Sequence, residues 1–296
     1  MSIFLSNVRR NTKLFFKDKG LFFTSLITPL ILLVLYTTFL SNVYENSYKQ
    51  IIAQLNITTI SDKQILGLVG GQLMSSLLAV SCVTVSFCSN MLMAQDKVSG
   101  AHKDLMLTPL KRSTLALSYY VSTTISTLII CLVALIACLV YVGVIGWYLS
   151  FTDVLLLTLD IFLLTTFGTA LSSVINFFLS SQGQISAVGS IVSSCYGFIC
   201  GAYMPLSTFG SGLRNAVMFL PGTYGTALLR NHSLNGVMET LPPEVVVALQ
   251  DSIDCNIYFF NTKVEIGTMY LVISLSIALL ITAYVLINKF CKKVKK

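Results

Sequence analysis

From residue 115 to residue 145 the chain reads LALSYYVSTTISTLIICLVALIACLVYVGVI, without one charged side chain. A helix needs about 20 consecutive apolar residues to cross a bilayer, so this run asks for lipid or for a very large protein core. Composition decides between the two. Only 10% of the 296 residues are charged, 55% are hydrophobic, and the mean hydropathy is +0.81. A soluble domain carries about 25% charged residues, and this chain has too few to cover a water-facing surface. It is expected to be an all-α, multi-pass membrane protein forming a single domain over residues 1–296.

Six spans are expected, over residues 21–40, 66–93, 115–145, 154–179, 185–204 and 267–287. The second and third exceed what a bilayer requires and should tilt or project from it. Of the 19 Lys and Arg residues, most fall in three places: an arm over 1–20, the loop between the second and third spans, and a tail over 289–296. Cytoplasmic segments collect positive charge, so both termini and that loop are expected in the cytosol. The acids Glu45, Asp62, Asp153, Glu239, Glu244, Asp251, Asp254 and Glu265 then lie outside. Tyr119 and Tyr120 fall near the inner end of the third span, and Tyr141, Trp147 and Tyr148 near its outer end, as interfacial aromatics do. The net charge of +7 therefore reads as membrane orientation, not nucleic-acid binding. The opening residues show neither the apolar stretch nor the small-residue cleavage site of a signal peptide.

In the arm, Ile3, Phe4, Val8 and Phe15 share one helical face while Arg9, Arg10, Lys13 and Lys17 lie mostly elsewhere. That predicts a helix lying in the inner interface, drawn to anionic membrane lipid. Residues 205–265 form the longest segment outside the spans. Within it, 213–220 is apolar but too short to cross, and Gly210, Gly212, Pro221 and Gly222 punctuate it. A short re-entrant helix is expected there. Pro242, Pro243 and Glu244 open another helix, giving an external cap of two or three short helices.

Catalytic signals are missing. Six of the 8 cysteines lie inside apolar runs, Cys255 lies in a loop and Cys291 in the tail, so no disulfide framework or zinc site is read. There is no P-loop, no His-Glu-x-x-His and no Gly-x-Ser-x-Gly elbow. The histidines, His102 and His232, fall on opposite sides of the membrane. Asp160 stands out as a carboxylate inside the fourth span. Such a group faces the bundle or a polar path. It either contacts substrate or a proton, or pairs with a Ser, Thr or Arg of a neighbouring span or with an external arginine such as Arg214. Asn56-Ile57-Thr58 and Asn231-His232-Ser233 match the glycosylation pattern on the external side.

The charged island between the second and third spans reads DKVSGAHKDLMLTPLKR, residues 96–112. It resembles the loop at this place in permeases of type 2 ATP-binding-cassette exporters. Asp96, Gly100, Leu105, Met106, Thr108, Pro109, Lys111 and Arg112 fit that pattern. Ala101 stands where the family usually has Thr, and Lys103 where an acid is common. A second resemblance lies in Gly201, Pro205, Leu220, Pro221, Tyr224 and Arg230, at the outer end of the fifth span and the re-entrant helix after it. The order of elements is similar along nearly the whole chain.

The resemblance implies a transport permease without a nucleotide site of its own. A separate ABC ATPase would hold ATP and Mg, and a second permease, identical or related, would complete the unit. Asp96, Gly100, Ala101, His102, Leu105, Thr108 and Pro109 would form a coupling helix docked on the ATPase, with Pro109 fixing where that helix ends. The setting would be the plasma membrane of a bacterium. Small residues crowd the second span (Gly67, Gly70, Gly71, Ser75, Ser76) and the fifth (Ser186, Gly189, Ser190, Ser193, Ser194, Gly197, Gly201). These permit close helix contact and suit a hydrophobic or amphipathic cargo: a drug, an antibiotic or other natural product, or a lipid. A lipid-linked polysaccharide is the alternative cargo. An ion-coupled secondary transporter fits less well, because no internal repeat and only one intramembrane charge are visible. A membrane enzyme would need a catalytic cluster that is not seen.

Overall fold

The computed structural model describes residues 3–54, 60–108, 111–260 and 262–290. Helix α1 (Ile3–Lys17) leads through Asp18, whose carboxylate accepts from the Leu21 N–H, into α2 (Lys19–Leu35). One π-helical turn, Tyr36–Leu40, joins α2 to α3 (Ser41–Gln54). Then come α4 (Asp62–Ser89), α5 (Met91–Ser99), α6 (Ala101–Met106), α7 (Arg112–Ile145), α8 (Phe151–Phe178) and α9 (Gln182–Ile199). The cap follows as α10 (Ser211–Val217), α11 (Pro221–Met238), α12 (Pro243–Ser252) and a ribbon of β1 (Ile257–Phe259) and β2 (Thr262–Val264), before α13 (Ile266–Phe290).

Helix α4 is the axis of the bundle. Every residue from Gly67 to Phe87 is buried, as expected of a helix apolar all round. Helices α2, α7, α8, α9 and α11 all pack on it. The glycines of α4 make this possible. A Cβ on Gly71 would come within 2.7 Å of the Ser233 carbonyl oxygen of α11, so any side chain there would push the two helices apart. The outer surfaces of α2 and α13 carry exposed Phe23, Leu30, Val34, Leu271, Leu275 and Leu279, an apolar girdle that suits lipid.

Among the described residues, five helical stretches are long and apolar enough to cross a membrane: Lys19–Gln54, Asp62–Ser99, Arg112–Ile145, Phe151–Phe178 and Ile266–Phe290. The expected fifth span, α9, is about 27 Å long, but it opens on Gln182 and Gln184 and carries four serines, which lower its hydropathy. The first span does not stop at residue 40. It runs on as α3, because no Gly or Pro interrupts it, and Tyr44, Tyr48 and Ile52 continue the buried face begun by Tyr36. The structure adds three details. The fold is all-α, as expected, apart from one short ribbon in which β1 and β2 pair antiparallel with Tyr258 opposite Lys263. The alternating aromatic and β-branched residues there are ordinary strand formers. Helix α1 buries Asn7, Val8, Asn11 and Phe15 against the bundle, while Ile3 is 50% exposed. The short helix expected around 213–220 is α10, and α11 after it is deeply buried, with fourteen of its eighteen residues inside.

Candidate functional site

Two polar constructions sit at opposite ends of the bundle. At the first, α4 breaks at Asn90, whose side-chain amide donates to the hydroxyls of Ser172 and Ser173 at 3.0 and 3.1 Å. Helix α5 then carries Asp96 inward, where it is only 6% exposed. Arg10 of α1 donates to both Asp96 oxygens, at 2.8 and 3.4 Å, and the Tyr119 hydroxyl of α7 donates to one of them at 2.6 Å. That hydrogen bond pushes the Arg10 guanidinium up from its ordinary value and keeps it charged. Lys97 donates to the Asn176 carbonyl of α8 at 3.0 Å. One short helix is thus tied to α1, α7 and α8 by charge-assisted bonds, the stronger kind of hydrogen bond.

Gly100 ends α5 with φ +89 and nothing within 4 Å of where a Cβ would be. The left-handed backbone, not lack of space, is what calls for glycine. The chain turns sharply into α6. Its Leu105 and Met106 pack on a cluster of Met93, Leu115, Tyr119, Tyr120, Ala170 and Tyr284. His102 stacks on Tyr119 with ring centroids 6.1 Å apart, and Ala101 is half-buried. The opposite face carries Lys103, Asp104, Leu107 and Thr108, all exposed, with Leu107 86% exposed. The Thr108 hydroxyl donates to the Leu105 carbonyl at 2.6 Å. Pro109 lies outside the described residues, as do Asn56 and Cys291. Of the residues that the resemblance singles out, Asp96 and Leu105 face the chain's own bundle. The outward surface includes two motif positions, Lys103 and Thr108, and also Asp104 and Leu107, which the motif did not mark.

At the other end, α11 starts deep and runs outward. Its top is fixed by Asn235, donating to Asp153 at 3.2 Å, and by Gln64, which donates to the Thr240 carbonyl at 3.0 Å. Its first turn, at Pro221, lies about 20 Å further in. Tyr224 and Thr223 donate to the carbonyls of Met218 and Val217 at 2.7 and 2.9 Å, closing the turn from α10. Arg230 is 1% exposed. It donates to the Ile253 carbonyl at 2.7 Å and the Gly201 carbonyl at 2.8 Å, and lies 3.5 Å from Asp254. Asp254 in turn accepts from the Leu206 N–H, next to Pro205, at 2.6 Å. Burial pushes Asp254 above the usual carboxylate range, against the pull of Arg230. Gly201, Pro205 and Arg230 therefore meet, while Pro221 and Tyr224 sit at the deep end of α11.

Asp160 is 2% exposed and fully partnered. His232 Nδ1 lies 2.6 Å from one carboxylate oxygen, and Tyr270 donates to the other at 2.7 Å. The expectation of a Ser, Thr or Arg partner is corrected. Arg214 instead lines a hollow of about 260 Å³ with Asp251, Asp254 and Tyr258. His232 is not at a surface either; it is buried on α11 and links α8 to α11. The glycosylation reading at Asn231 is overturned too. Its amide nitrogen is held by the carbonyls of Ala227 and Cys255, both at 2.8 Å, inside a helix. Sequence reasoning missed Arg10, Tyr119, His232, Tyr270 and Asp254 as partners. Only the pairing of buried charges, which requires some partner, announced that they must exist.

No curated protein is matched by the chain. A family model described as ABC-2 type transporter matches residues 3–232, which include α1, the handle of α5 and α6, and most of α11. On that match the chain belongs to the ABC-2 type transporter family, as a multi-pass membrane permease whose ATPase is a separate subunit.

Proposed function

We propose that this chain is the membrane half of an ATP-driven exporter, with α6 as the coupling helix that a cytosolic ABC ATPase grips. One observation carries this reading: α6 packs Leu105 and Met106 on the bundle and leaves Lys103, Asp104 and its C-cap Leu107 exposed, while α5 beside it is tied inward to α1, α7 and α8. An exposed large apolar side chain on a rigidly held short helix suits a protein partner. A push on α6 would pass through Asp96 and Lys97 to three helices at once.

In this reading α9 crosses as the fifth of six spans, both termini lie in the cytosol, and two permeases pair in the plasma membrane of a bacterium. ATP and Mg stay on the ATPase. The apolar lining between the spans favours a hydrophobic or amphipathic cargo over a polysaccharide. Leu107→Asp tests the handle. Purified from its native membrane, wild type should bring along a soluble P-loop subunit, and the variant should lose it by at least tenfold while its thermal unfolding stays unchanged. An equal yield of that subunit with both chains removes α6 from the contact.

A further inference from the structure

The cap presents three aromatic rings where the segment between α10 and α11 meets the turn of the ribbon. Phe219 follows α10, Phe259 ends β1, and Phe260 begins the turn to β2. Their ring centroids lie 5.2, 5.0 and 6.4 Å apart, each pair edge to face. Phe259 packs on the cluster that includes Met269 and Ile273 of α13. Phe219 and Phe260 are 64% and 55% exposed. Leu220, next to Phe219, and Ile266, at the start of α13, are exposed as well. A contiguous apolar patch marks a site of contact with protein or membrane. Phe260 also has φ +53, in the left-handed region that a bulky side chain rarely enters. The fold thus accepts backbone strain at a position that exposes a ring.

The packing of α13 on α8 sets the depth of this patch. Tyr270 donates to Asp160, and further along Tyr284 shares a cluster with Ala170, so the two helices run in the same direction. Ile266 precedes Tyr270 by about 6 Å along its helix, and Phe151 precedes Asp160 by about 14 Å. Helix α8 therefore reaches about 8 Å beyond the start of α13. That extra length still carries exposed Phe151 and Leu155, and Val144 and Trp147 at the end of α7 are exposed too. The apolar belt thus extends past the point where the ribbon joins α13, and the rings lie beside it rather than above it. Exposed Lys263 and Glu265 flank them and stop them from sinking deeper, because charged side chains keep to the headgroups.

A second protein surface is a poorer occupant. The two exposed rings offer on the order of 250 Å², well short of the about 800 Å² that each partner of a stable complex buries. The patch continues instead into the girdle of Leu271, Leu275 and Leu279 on α13. We infer that Phe219, Phe259 and Phe260 form a wedge by which the cap inserts into the leaflet on its own side, at the boundary of headgroups and acyl chains. The ribbon thereby holds the base of the cap to the lipid surface. This inference rests on the membrane setting, not on the export reading.

The test uses the purified full chain in phosphatidylcholine vesicles, without the ATPase. Trp147, the one tryptophan, is first replaced by Phe. A single tryptophan then returns as Phe260→Trp, as Phe219→Trp, or as Val247→Trp, at a position exposed on α12. The lipid carries bromine either at the sixth and seventh carbons of one acyl chain or at the eleventh and twelfth. Phe260→Trp and Phe219→Trp should each lose about half of their emission to the shallow bromines, as suits an indole at the headgroup–acyl boundary, and less to the deep ones. Val247→Trp should be unchanged by either lipid. If one ring variant does not fold, the other still decides. Emission that neither bromine lowers overturns the proposal, as does stronger quenching by the deep bromines or equal quenching of Val247→Trp. Phe260→Cys that cross-links two copies of the chain, with Phe260→Trp unquenched, gives the patch to a second copy and also overturns it.

Discussion

The handle at α5 and α6 and the cap at α11 are both held by an arginine and an aspartate, but in different surroundings. Arg10 keeps about a third of its side chain exposed (32%), while Arg230 keeps 1%. The handle presents Lys103, Asp104 and Leu107 outward and buries none of the residues of α6. The cap turns its polar groups inward and seals them against carbonyls. A solvent-screened pair can break and re-form at small cost, whereas a buried one leaves a stranded charge when it breaks. The handle is thus built as a lever that can be moved, and the cap as a plug that moves as one body.

The largest expected effect comes from Arg230→Ala. It strands Asp254 and two carbonyls, and should cost about 3–5 kcal/mol, read as thermal unfolding and faster proteolysis of residues 205–265. Arg230→Lys should rescue little, since one ammonium cannot replace a fork spanning two carbonyls. Burial already raises Asp254, so the folded state binds its proton more readily than the unfolded chain does. Stability of the Ala variant should therefore rise as pH falls through the raised value. A variant that is no weaker than Asp96→Ala would erase the contrast between the ends.

Next comes the link between α8 and α11. In a double-mutant cycle, Asp160→Asn and His232→Gln should show coupling of about 1–3 kcal/mol. Additive effects would mean that the cap is not tied to the spans through this pair. Smaller again is Asp96→Ala, at about 1–2 kcal/mol, because hydrogen bonds to a charged group are lost while Arg10 remains partly hydrated. It should lower ATP-driven transport more than it lowers stability, as measured in co-reconstituted vesicles. Leu107→Asp should change stability by less than about 0.5 kcal/mol and act only on the ATPase contact. A large stability loss there would show that the handle is part of the core.

Much of the fold could be read from residue order. Long apolar runs announce helices at bilayer length, and Gly100 announces a turn, because each signal is local. The island of residues 96–112 could be read as a handle, but not which of its faces is free. That depends on Leu105 and Met106 finding a cluster formed by α7, α8 and α13. The π-helical turn at Tyr36–Leu40 and the extension through α3 were hidden, since hydropathy falls at residue 41 although the helix continues.

By itself the sequence determined that this chain lives in a membrane, that most of it is long apolar helix, and that Asp160 required a partner or a polar path. Charge and hydropathy act residue by residue, so they survive without coordinates. Only the tertiary structure decided which partner that is, and that α11, polar enough to pass for an external loop, is buried among α4, α8 and α13. A helix surrounded by protein can be built of small and hydrogen-bonded residues as well as apolar ones, so the depth of α11 leaves no mark in hydropathy.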